Sequence, residues 1–392
     1  MEHFYKTHFE LLESVKSPIN RELMNDINWQ NRLVGIKGAR GIGKTMFLLD
    51  YIKSTFGNDK SCLYANLNNF YFSQNSLVEF ANEFRKTGGK TLVLDQVFKY
   101  PNWSEALSQI YDKYPELNVV FAGSPVMRLN DDNIHLQGKV SSYQLRGLSF
   151  REFLNFKTGS SFSKYSIEDL LKYHTEIAKD ILFKVKPLAF FNDYLKHGFY
   201  PFFIDKTNFG EQLIKVANLT LEIDIPYLQQ MEMKYLPKLK KLLYILSEDM
   251  PHVPNVSQLS SSIETSRATV VNYFRYLRNA RLINMIYQGE RDESKKPDRV
   301  YLQNPNLLYT ISMTKPTDQA MHETFFLNQF NYENGIESNG KKGEFIVNQE
   351  LTFKIGNNKR IASNQGNVFM ATDMEEVGVG NKIPLWLLGF LC

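Results

Sequence analysis

The stretch "GARGIGKT", residues 38–45, decides the fold of this chain. Its three glycines let the backbone turn its N–H groups inward, where a Cβ would crowd a bound phosphate. The preceding "LVGI", residues 33–36, has the continuous apolar character of a buried parallel strand, and apolar residues recur at helical spacing after the loop. A strand, a glycine loop and a helix N-terminus in this order predict a Walker A loop, which holds the phosphates of a nucleoside triphosphate.

Each residue of this loop has an expected role. The backbone would surround the phosphates, Lys44 would reach the β and γ phosphates, and the Thr45 hydroxyl would ligate Mg²⁺. The predicted nucleotide-binding residues are Gly38, Ala39, Arg40, Gly41, Ile42, Gly43, Lys44, Thr45 and, from a later strand, Asp95. A plain glycine turn between a strand and a helix is the alternative.

The stretch "KTLVLDQV", residues 90–97, predicts a buried strand over 91–94 that ends in a carboxylate. Mg²⁺ needs an acceptor there, so Thr45 and Asp95 are the predicted metal residues. ATPases of this general plan usually have a glutamate next, whereas this chain has Gln96. Glutamine orients a water but cannot accept its proton, and loss of a general base costs about 10²- to 10⁴-fold in rate. The sequence therefore predicts intact binding with slow hydrolysis.

A further buried strand is predicted over residues 118–122, between the strands of the two phosphate motifs. Ser124 follows it and is a candidate sensor of the γ-phosphate. A simple Gly-Ser-Pro turn is the alternative for this residue.

Composition places the chain among ordinary globular proteins. Its 392 residues suggest two to four domains at roughly 150 residues each. Hydrophobic residues make up 43% and charged residues 22%, close to ordinary globular usage, so neither a disordered nor a fibrous chain is indicated. The two cysteines, Cys62 and Cys392, lack metal-ligand spacing, and the N-terminus lacks an apolar signal segment, so a cytoplasmic protein is expected. The apolar run 383–392 is about half a membrane span. It predicts a buried terminal segment, and no membrane contact is expected.

Several short motifs carry a family resemblance across nearly the whole chain: "GIKGARGIGKT", "LVLDQVFKYPNW", "VVFAGSP", "GLSFREF", "HGFYPFF", "VYLQNPNLLY", "HETFFLNQ" and "NKIPLWLLGFL". In these motifs the chain resembles the prokaryotic AAA+-like ATPases with a winged helix and a C-terminal restriction-endonuclease-like domain, a group close to the archaeal-type and STAND ATPases. The resemblance implies an α/β P-loop NTPase core with a parallel sheet, a helical lid, a winged helix and a C-terminal α+β nuclease-like domain. It also implies ATP, rather than GTP, with Mg²⁺.

The chain departs from this family at hydrolysis positions. Family members usually have Asp-Glu at 95–96, and a pair of arginines where this chain has Gln137, Gly138 and Lys139. Those arginines would contact the γ-phosphate or a neighbouring subunit, and Lys139 keeps one charge without the bidentate fork of arginine. The candidate catalytic residues are therefore Gln96, Ser124 and Lys139. Two weakened features favour natural degeneration over one engineered trapping substitution.

The resemblance divides the chain into four expected domains. They are the ATPase core at 1–148, the helical lid at 149–233, the winged helix-turn-helix at 234–303 and the nuclease-like domain at 304–392. Within the third, apolar spacing predicts helices over 237–247, 256–263 and 266–280, with Ser266 as an N-cap, followed by two strands around a charged tip.

Basic residues concentrate in the predicted winged helix. Between Lys234 and Arg281 there are eight Lys or Arg and three Asp or Glu. The candidate nucleic-acid contacts are Arg267, Thr269, Asn272, Arg275, Lys295, Lys296 and Arg299. Contact with double-stranded DNA and a purely intramolecular role as a switch both remain open.

The nuclease-like domain lacks residues that its chemistry requires. Such nucleases need two or three carboxylates around Mg²⁺ plus a lysine. The family glutamate before Ile-Gly is Lys354 here, and the following Gly-Lys is replaced by Asn357 and Asn358. A cation cannot ligate Mg²⁺, although Glu350 and Glu344 remain, the latter where the family aspartate would be. We expect an inactive domain with a structural or docking role.

The leading hypothesis is an ATP-binding switch in which Mg-ATP closes the lid and winged helix against the core. A DNA-binding regulator or defence protein is the alternative, and an ATP-dependent nuclease is a third hypothesis. A protein partner and a homo-oligomer remain open.

Overall fold

The computed structural model describes residues 1–16, 19–127, 129, 133–205, 208–289, 295–330, 335–356 and 366–391. The chain divides into two compact units, Met1–Gly147 and Leu148–Cys392. The three segments that the sequence suggests beyond the ATPase core lie inside the second unit, apart from the residues outside the described ranges.

A five-stranded parallel sheet forms the centre of the first unit. Its strands are β1 Leu33–Lys37, β2 Cys62–Asn66, β3 Thr91–Asp95, β4 Asn118–Gly123 and β5 Ser141–Gln144. Their order is β2-β3-β4-β1-β5, and every neighbouring pair is parallel. The three strands predicted from apolar runs are confirmed as β1, β3 and β4. β4 lies between β1 and β3, as expected.

Helices accompany this sheet in the alternation typical of a P-loop core. They are α1 Glu2–Ser14, α2 Leu23–Asp26, α3 Lys44–Thr55, α4 Leu77–Lys86 and α5 Trp103–Lys113. The four strands β1 to β4 are almost entirely buried, as expected for strands covered on both faces. All strands run parallel, so their carboxyl ends meet at one edge, which also holds the glycine loop.

A buried histidine anchors α1 to this sheet. His8 has no exposed surface, and its Nδ1 accepts a hydrogen bond of 2.9 Å from the backbone N–H of Tyr64 in β2. Only an unprotonated Nδ1 can accept, so the ring is held neutral. Burial accordingly lowers the pKa of His8 to about 4.

The second unit begins with a helical region. Its helices are α6 Phe150–Thr158, α7 Ile167–Lys184, α8 Leu188–Asp193, α9 Phe209–Leu219 and α10 Ile225–Gln229. A π-helical turn at Tyr194–Gly198 leaves backbone groups outside the regular helical pattern. Buried Asn306 satisfies them: its Nδ2 donates to the carbonyls of Tyr194 and Leu195, both at 2.9 Å, and its Oδ1 accepts from Phe199 N at 2.8 Å.

Three helices and an antiparallel strand pair follow. They are α11 Leu236–Glu248, α12 Val256–Ser262, α13 Arg267–Asn279, β6 Ile283–Ile286 and β7 Arg299–Leu302. The helices predicted at 237–247, 256–263 and 266–280 are therefore confirmed to within one residue at each end. The Ser266 cap is also confirmed, because its Oγ accepts from Thr269 N at 3.1 Å. Residues 290–294 of the predicted charged tip lie outside the described residues.

A mixed sheet completes the second unit. Its remaining elements are α14 Pro305–Ile311, α15 Asp318–Gln329, β8 Ile336–Ser338, β9 Glu344–Val347, β10 Leu351–Ile355, β11 Val368–Thr372 and β12 Lys382–Pro384. The sheet order is β12-β11-β10-β9-β8, with parallel pairs on one side of β10 and antiparallel pairs on the other. The predicted buried terminal segment is confirmed from Ile383 to Phe390, and Cys392 lies outside the described residues. Among the described residues, every helix is too short or too polar to cross a bilayer.

The buried neutral His8 makes stability depend on pH. Between pH 6.5 and about 4 the unfolded chain binds more protons at this residue than the folded chain does, so the free energy of unfolding falls as the pH falls. We expect wild type to lose about 2 kcal/mol more than His8→Gln between pH 7.5 and 5. Denaturant titrations across this range measure the difference. His3→Gln, at an exposed position of α1, should follow the wild type; identical curves for His8→Gln and wild type would contradict the assignment.

Candidate nucleotide-binding site

The glycine loop has the backbone conformation that its composition predicts. Gly41 has φ 84° and Gly43 has φ 90°, which is the left-handed region that side chains with a Cβ rarely adopt. Gly43 is also the N-cap of α3, which begins at Lys44. The loop therefore connects β1 to a helix N-terminus, where unpaired N–H groups and the helix dipole favour an anion.

Gly38 is required by packing as well as by access. A Cβ built there would lie 2.5 Å from Ile42 Cδ1 and 2.5 Å from the carbonyl oxygen of Leu145. Its N–H also donates to Gly123 O at the end of β4, at 3.3 Å. The first glycine of the loop is thus held between β4 and the residue that follows β5.

The other loop residues divide into backbone and side-chain roles. Lys44 Nζ donates to the carbonyls of Gly38 at 2.8 Å and Ala39 at 2.7 Å, so the ammonium lies against the loop that it is expected to serve. The Ile42 side chain is buried, so only its backbone can face a ligand. Its carbonyl accepts from Arg21 Nη1 at 3.1 Å. Ala39 and Arg40 are half-buried.

Asp95 is the centre of the candidate metal site. It is 1% exposed, and its Oδ2 accepts from Thr45 Oγ1 at 2.6 Å and from the Tyr64 hydroxyl at 3.0 Å. Its Oδ1 accepts from the backbone N–H of Gln96 at 2.7 Å. The two residues predicted for Mg²⁺ are therefore in direct contact. Burial raises the pKa of Tyr64 far above its usual value, and the Asp95 charge raises it further, so the phenol stays a donor.

The three candidate catalytic residues lie in different places. Gln96 directly follows β3 in the left-handed conformation, with φ 51°. Ser124 is buried, and its Oγ accepts from Val126 N at 3.4 Å, as in the alternative turn reading. Lys139 bonds Asp112 Oδ2 at 2.6 Å and Ser108 Oγ at 2.8 Å in α5.

Lys139 lies near the amino ends of the strands, whereas the glycine loop lies at their carboxyl ends. It precedes β5, whose Ser141 pairs with Val34 near the amino end of β1, whereas the glycine loop leaves the carboxyl end. The structure therefore does not bring Lys139 to Thr45 and Asp95 of the same chain.

Comparisons with known proteins agree with this geometry. A family model described as "AAA domain" matches residues 30–154. The matched region contains the glycine loop, Thr45 and Asp95, so this match supports an AAA-type P-loop domain over residues 30–154. A second model, described as a domain of unknown function, DUF8612, matches residues 189–318.

Two archaeal proteins resemble a larger part of the chain. Uncharacterized protein MJ1544 of Methanocaldococcus jannaschii is 22% identical over 311 residues, covering 76% of this chain and 66% of that protein. Uncharacterized protein MJ1637 of the same organism is 21% identical over 288 residues, covering 70% of this chain and 60% of that protein. The chain thus spans less than two thirds of the length of both relatives.

Solved structures give weaker likenesses. The AMPPCP-bound DnaA of Aquifex aeolicus is 14% identical with a TM-score of 0.27, covering 70% of this chain and 88% of that one. The Hsp104-ADP complex of S. cerevisiae is 12% identical with a TM-score of 0.25, covering 69% of this chain and 39% of that one. These TM-scores are too low to establish a shared fold.

Three residues that shape the candidate nucleotide site were missed by the sequence analysis. Tyr64 contacts Asp95, His8 fixes the backbone of Tyr64, and Arg21 holds the loop through Ile42 O. The signal that could have found Tyr64 is its place in the apolar stretch "CLYA", residues 62–65, because a buried hydroxyl needs a partner.

The candidate nucleic-acid residues are only partly exposed. Arg267 and Arg275 are exposed on α13, and Lys295 and Lys296 are exposed before β7. Thr269 bonds Ser266 through its hydroxyl at 2.8 Å, and Asn272 accepts from Arg275.

The expected surface position of Arg299 is wrong. This residue lies in β7, 8% exposed, with its Nε 3.6 Å from Asp298 Oδ2. Its Nη2 donates to Gly340 O at 3.4 Å. The charge is directed into the fold, because all four residues of β7 are buried.

Two of the residues at the expected nuclease positions form a cross-strand pair. Lys354 in β10 stands opposite Glu344 in β9, and Glu344 accepts from Asn339 Nδ2 at 3.2 Å. Glu350 is exposed in the turn between the strands. Within the described residues there is no group of three or more His, Cys, Asp or Glu able to hold a metal ion. Asn357 and Asn358 lie outside the described residues.

Gly38→Ala should disturb both folding and nucleotide binding. The added methyl group meets a backbone oxygen, which cannot rotate away, so we expect a loss of about 1–3 kcal/mol in the free energy of unfolding. Denaturant unfolding and calorimetry with Mg-ATP measure the two effects. Gly366→Ala is the matched control, since nothing lies within 4 Å of its added Cβ. Wild-type stability and affinity in Gly38→Ala would refute the packing role.

Proposed function

We propose that this chain is a nucleotide-dependent switch whose AAA domain binds Mg-ATP and hydrolyses it slowly. The observation that carries the proposal is the 2.6 Å hydrogen bond from Thr45 Oγ1 to Asp95 Oδ2 beside an intact glycine loop. It joins the two motifs that a P-loop site needs, although they are 50 residues apart in the chain.

The oxygens at this site fit Mg²⁺. A hydroxyl and a carboxylate are hard ligands of the kind Mg²⁺ prefers, with substrate phosphates and water completing the shell. The Thr45 hydroxyl can donate its hydrogen bond to Asp95 while its oxygen lone pairs remain available to the metal ion. When bound, the ion neutralises charge on the phosphates. The Lys44 ammonium would neutralise part of the same negative charge.

In our proposal, slow turnover follows mainly from Gln96, the residue beside Asp95. Gln96 can hold a water through its amide but cannot take its proton. Lys139, the other weakened position, lies at the far edge of the sheet and is bonded to Asp112. In our proposal the bound state therefore outlives the time needed to change the conformation of the chain, so binding rather than turnover transmits the signal.

Restoring the acid should restore turnover. We expect wild type to bind ATP with Mg²⁺ in calorimetry but to release phosphate slowly, and Gln96→Glu to raise the release rate roughly 10²-fold or more. Gln96→Ala is the matched control and should show no gain. Rapid phosphate release by wild type would refute slow turnover, and absence of ATP binding at millimolar Mg²⁺ would refute the switch itself.

A DNA-binding role is the second candidate. Its support is the winged-helix order of α11, α12, α13 and the β6–β7 pair, together with exposed cations on α13 and before β7. In this proposal Arg267 and Arg275 contact the duplex from α13, and Lys295 and Lys296 contact phosphates from the wing.

DNA retardation at low salt tests this candidate. Arg275→Ala and Lys296→Ala should each weaken duplex binding several-fold and reduce the slope of log affinity against log salt by about 1. Lys179→Ala removes a charge from an exposed position of α7 and should leave binding unchanged. No retardation at low salt, or equal losses in all three variants, would exclude a DNA-binding winged helix.

A further inference from the structure

A tyrosine on the strand beside β3 contacts the carboxylate of the candidate metal site. Tyr64 is 4% exposed, and its hydroxyl donates to Asp95 Oδ2 at 3.0 Å. Thr45 donates to the same oxygen. Tyr64 is thus the third side chain of a cluster in which the other two are the predicted Mg²⁺ residues.

We propose that Tyr64 is a positioning residue for Asp95. Its hydroxyl holds Asp95 Oδ2 toward the Thr45 hydroxyl, so that the oxygens of both residues are oriented before Mg-nucleotide binds. This assignment rests on the proposed function, because it concerns the metal-dependent part of nucleotide affinity.

The sheet register makes this contact a fixed feature of the fold. Asn66 of β2 pairs with Asp95 of β3, and Tyr64 lies two residues before Asn66. Residues two apart in a strand point to the same face, so Tyr64 and Asp95 are diagonal neighbours there. The long phenol side chain spans the diagonal that a shorter side chain could not.

Besides Thr45, two donors hold the carboxylate, one at each oxygen. The backbone N–H of Gln96 binds Oδ1 at 2.7 Å, and the Tyr64 hydroxyl binds Oδ2. With both donors in place, the carboxylate cannot rotate about its Cβ–Cγ bond without losing a hydrogen bond. At 1% exposure, bulk water does not compensate for such a loss. Without Tyr64, only Thr45 would hold Oδ2, and that hydroxyl is itself the expected metal ligand.

The position of Tyr64 is itself secured from outside the matched AAA region. His8 Nδ1 accepts from the Tyr64 backbone N–H at 2.9 Å, and α1 ends before residue 30, where the family match begins. Tyr64 therefore links α1 to the site, because its backbone bonds His8 and its side chain bonds Asp95. The purely structural alternative is that the Tyr64 ring fills the core and its hydroxyl adds nothing to metal binding.

The ratio of ATP affinities with and without Mg²⁺ separates these roles. Calorimetry is performed on the full chain with excess MgCl₂ and again with EDTA. In Tyr64→Phe the ring remains and the hydroxyl is lost, so we expect the Mg²⁺ enhancement of affinity to fall roughly 10-fold. The metal-free affinity should stay within about two-fold of wild type, since Lys44 and the glycine loop are unchanged.

Tyr5→Phe is the matched control. It removes a hydroxyl that donates to Lys60 O at 2.7 Å, far along the chain from Asp95, and should leave the ratio unchanged. An unchanged ratio in Tyr64→Phe, or equal losses with Mg²⁺ and with EDTA, would overturn the assignment while leaving the proposed function intact. Failure of wild type to bind ATP under either condition would instead refute the proposed function, and the assignment with it.

Discussion

The buried Asp95 carboxylate is the constraint on which the first unit depends. A buried charge is costly unless hydrogen bonds replace its water, and Asp95 receives three from separate sources. Thr45 supplies one from α3, Tyr64 one from β2 and Gln96 one from its own backbone. These donors converge only when β2 pairs with β3 and the glycine loop leaves β1 at the same edge. Stability and the candidate site therefore require the same arrangement of strands.

The glycine loop is ordered by contacts of its own. Gly38 is packed against Leu145, the Ile42 carbonyl is held by Arg21, and Lys44 bonds two loop carbonyls. A loop already held in its binding shape loses little conformational entropy when a ligand arrives. The Lys44 ammonium, which would contact the phosphates, already bonds the carbonyls of Gly38 and Ala39. On nucleotide binding it would exchange these acceptors for phosphate oxygens.

Patterns local in sequence predicted part of the secondary structure, whereas β2, β5 and the long-range side-chain pairs were not predicted. Continuous apolar runs identified β1, β3 and β4, because strands covered on both faces have no polar alternation. Tyr64 and His8 have partners 31 and 56 residues away, and no local pattern encodes such contacts. The prediction for Arg299 was wrong because a charge near a turn usually faces solvent, yet all four residues of β7 are buried. The role expected of Lys139 came from a family motif, while the strand register places it at the opposite edge.

In the proposed function, binding and hydrolysis are separable because the backbone and the side chain of residue 96 would serve them separately. Its left-handed backbone, with φ 51°, costs on the order of 1–2 kcal/mol for a residue with a Cβ. The same conformation is accompanied by the N–H bond to Asp95 Oδ1, which any residue except proline can make. Only the side chain distinguishes a proton acceptor from an amide. A glutamine can therefore keep the backbone contact that supports Asp95 and remove the base, which leaves a site suited to holding its ligand.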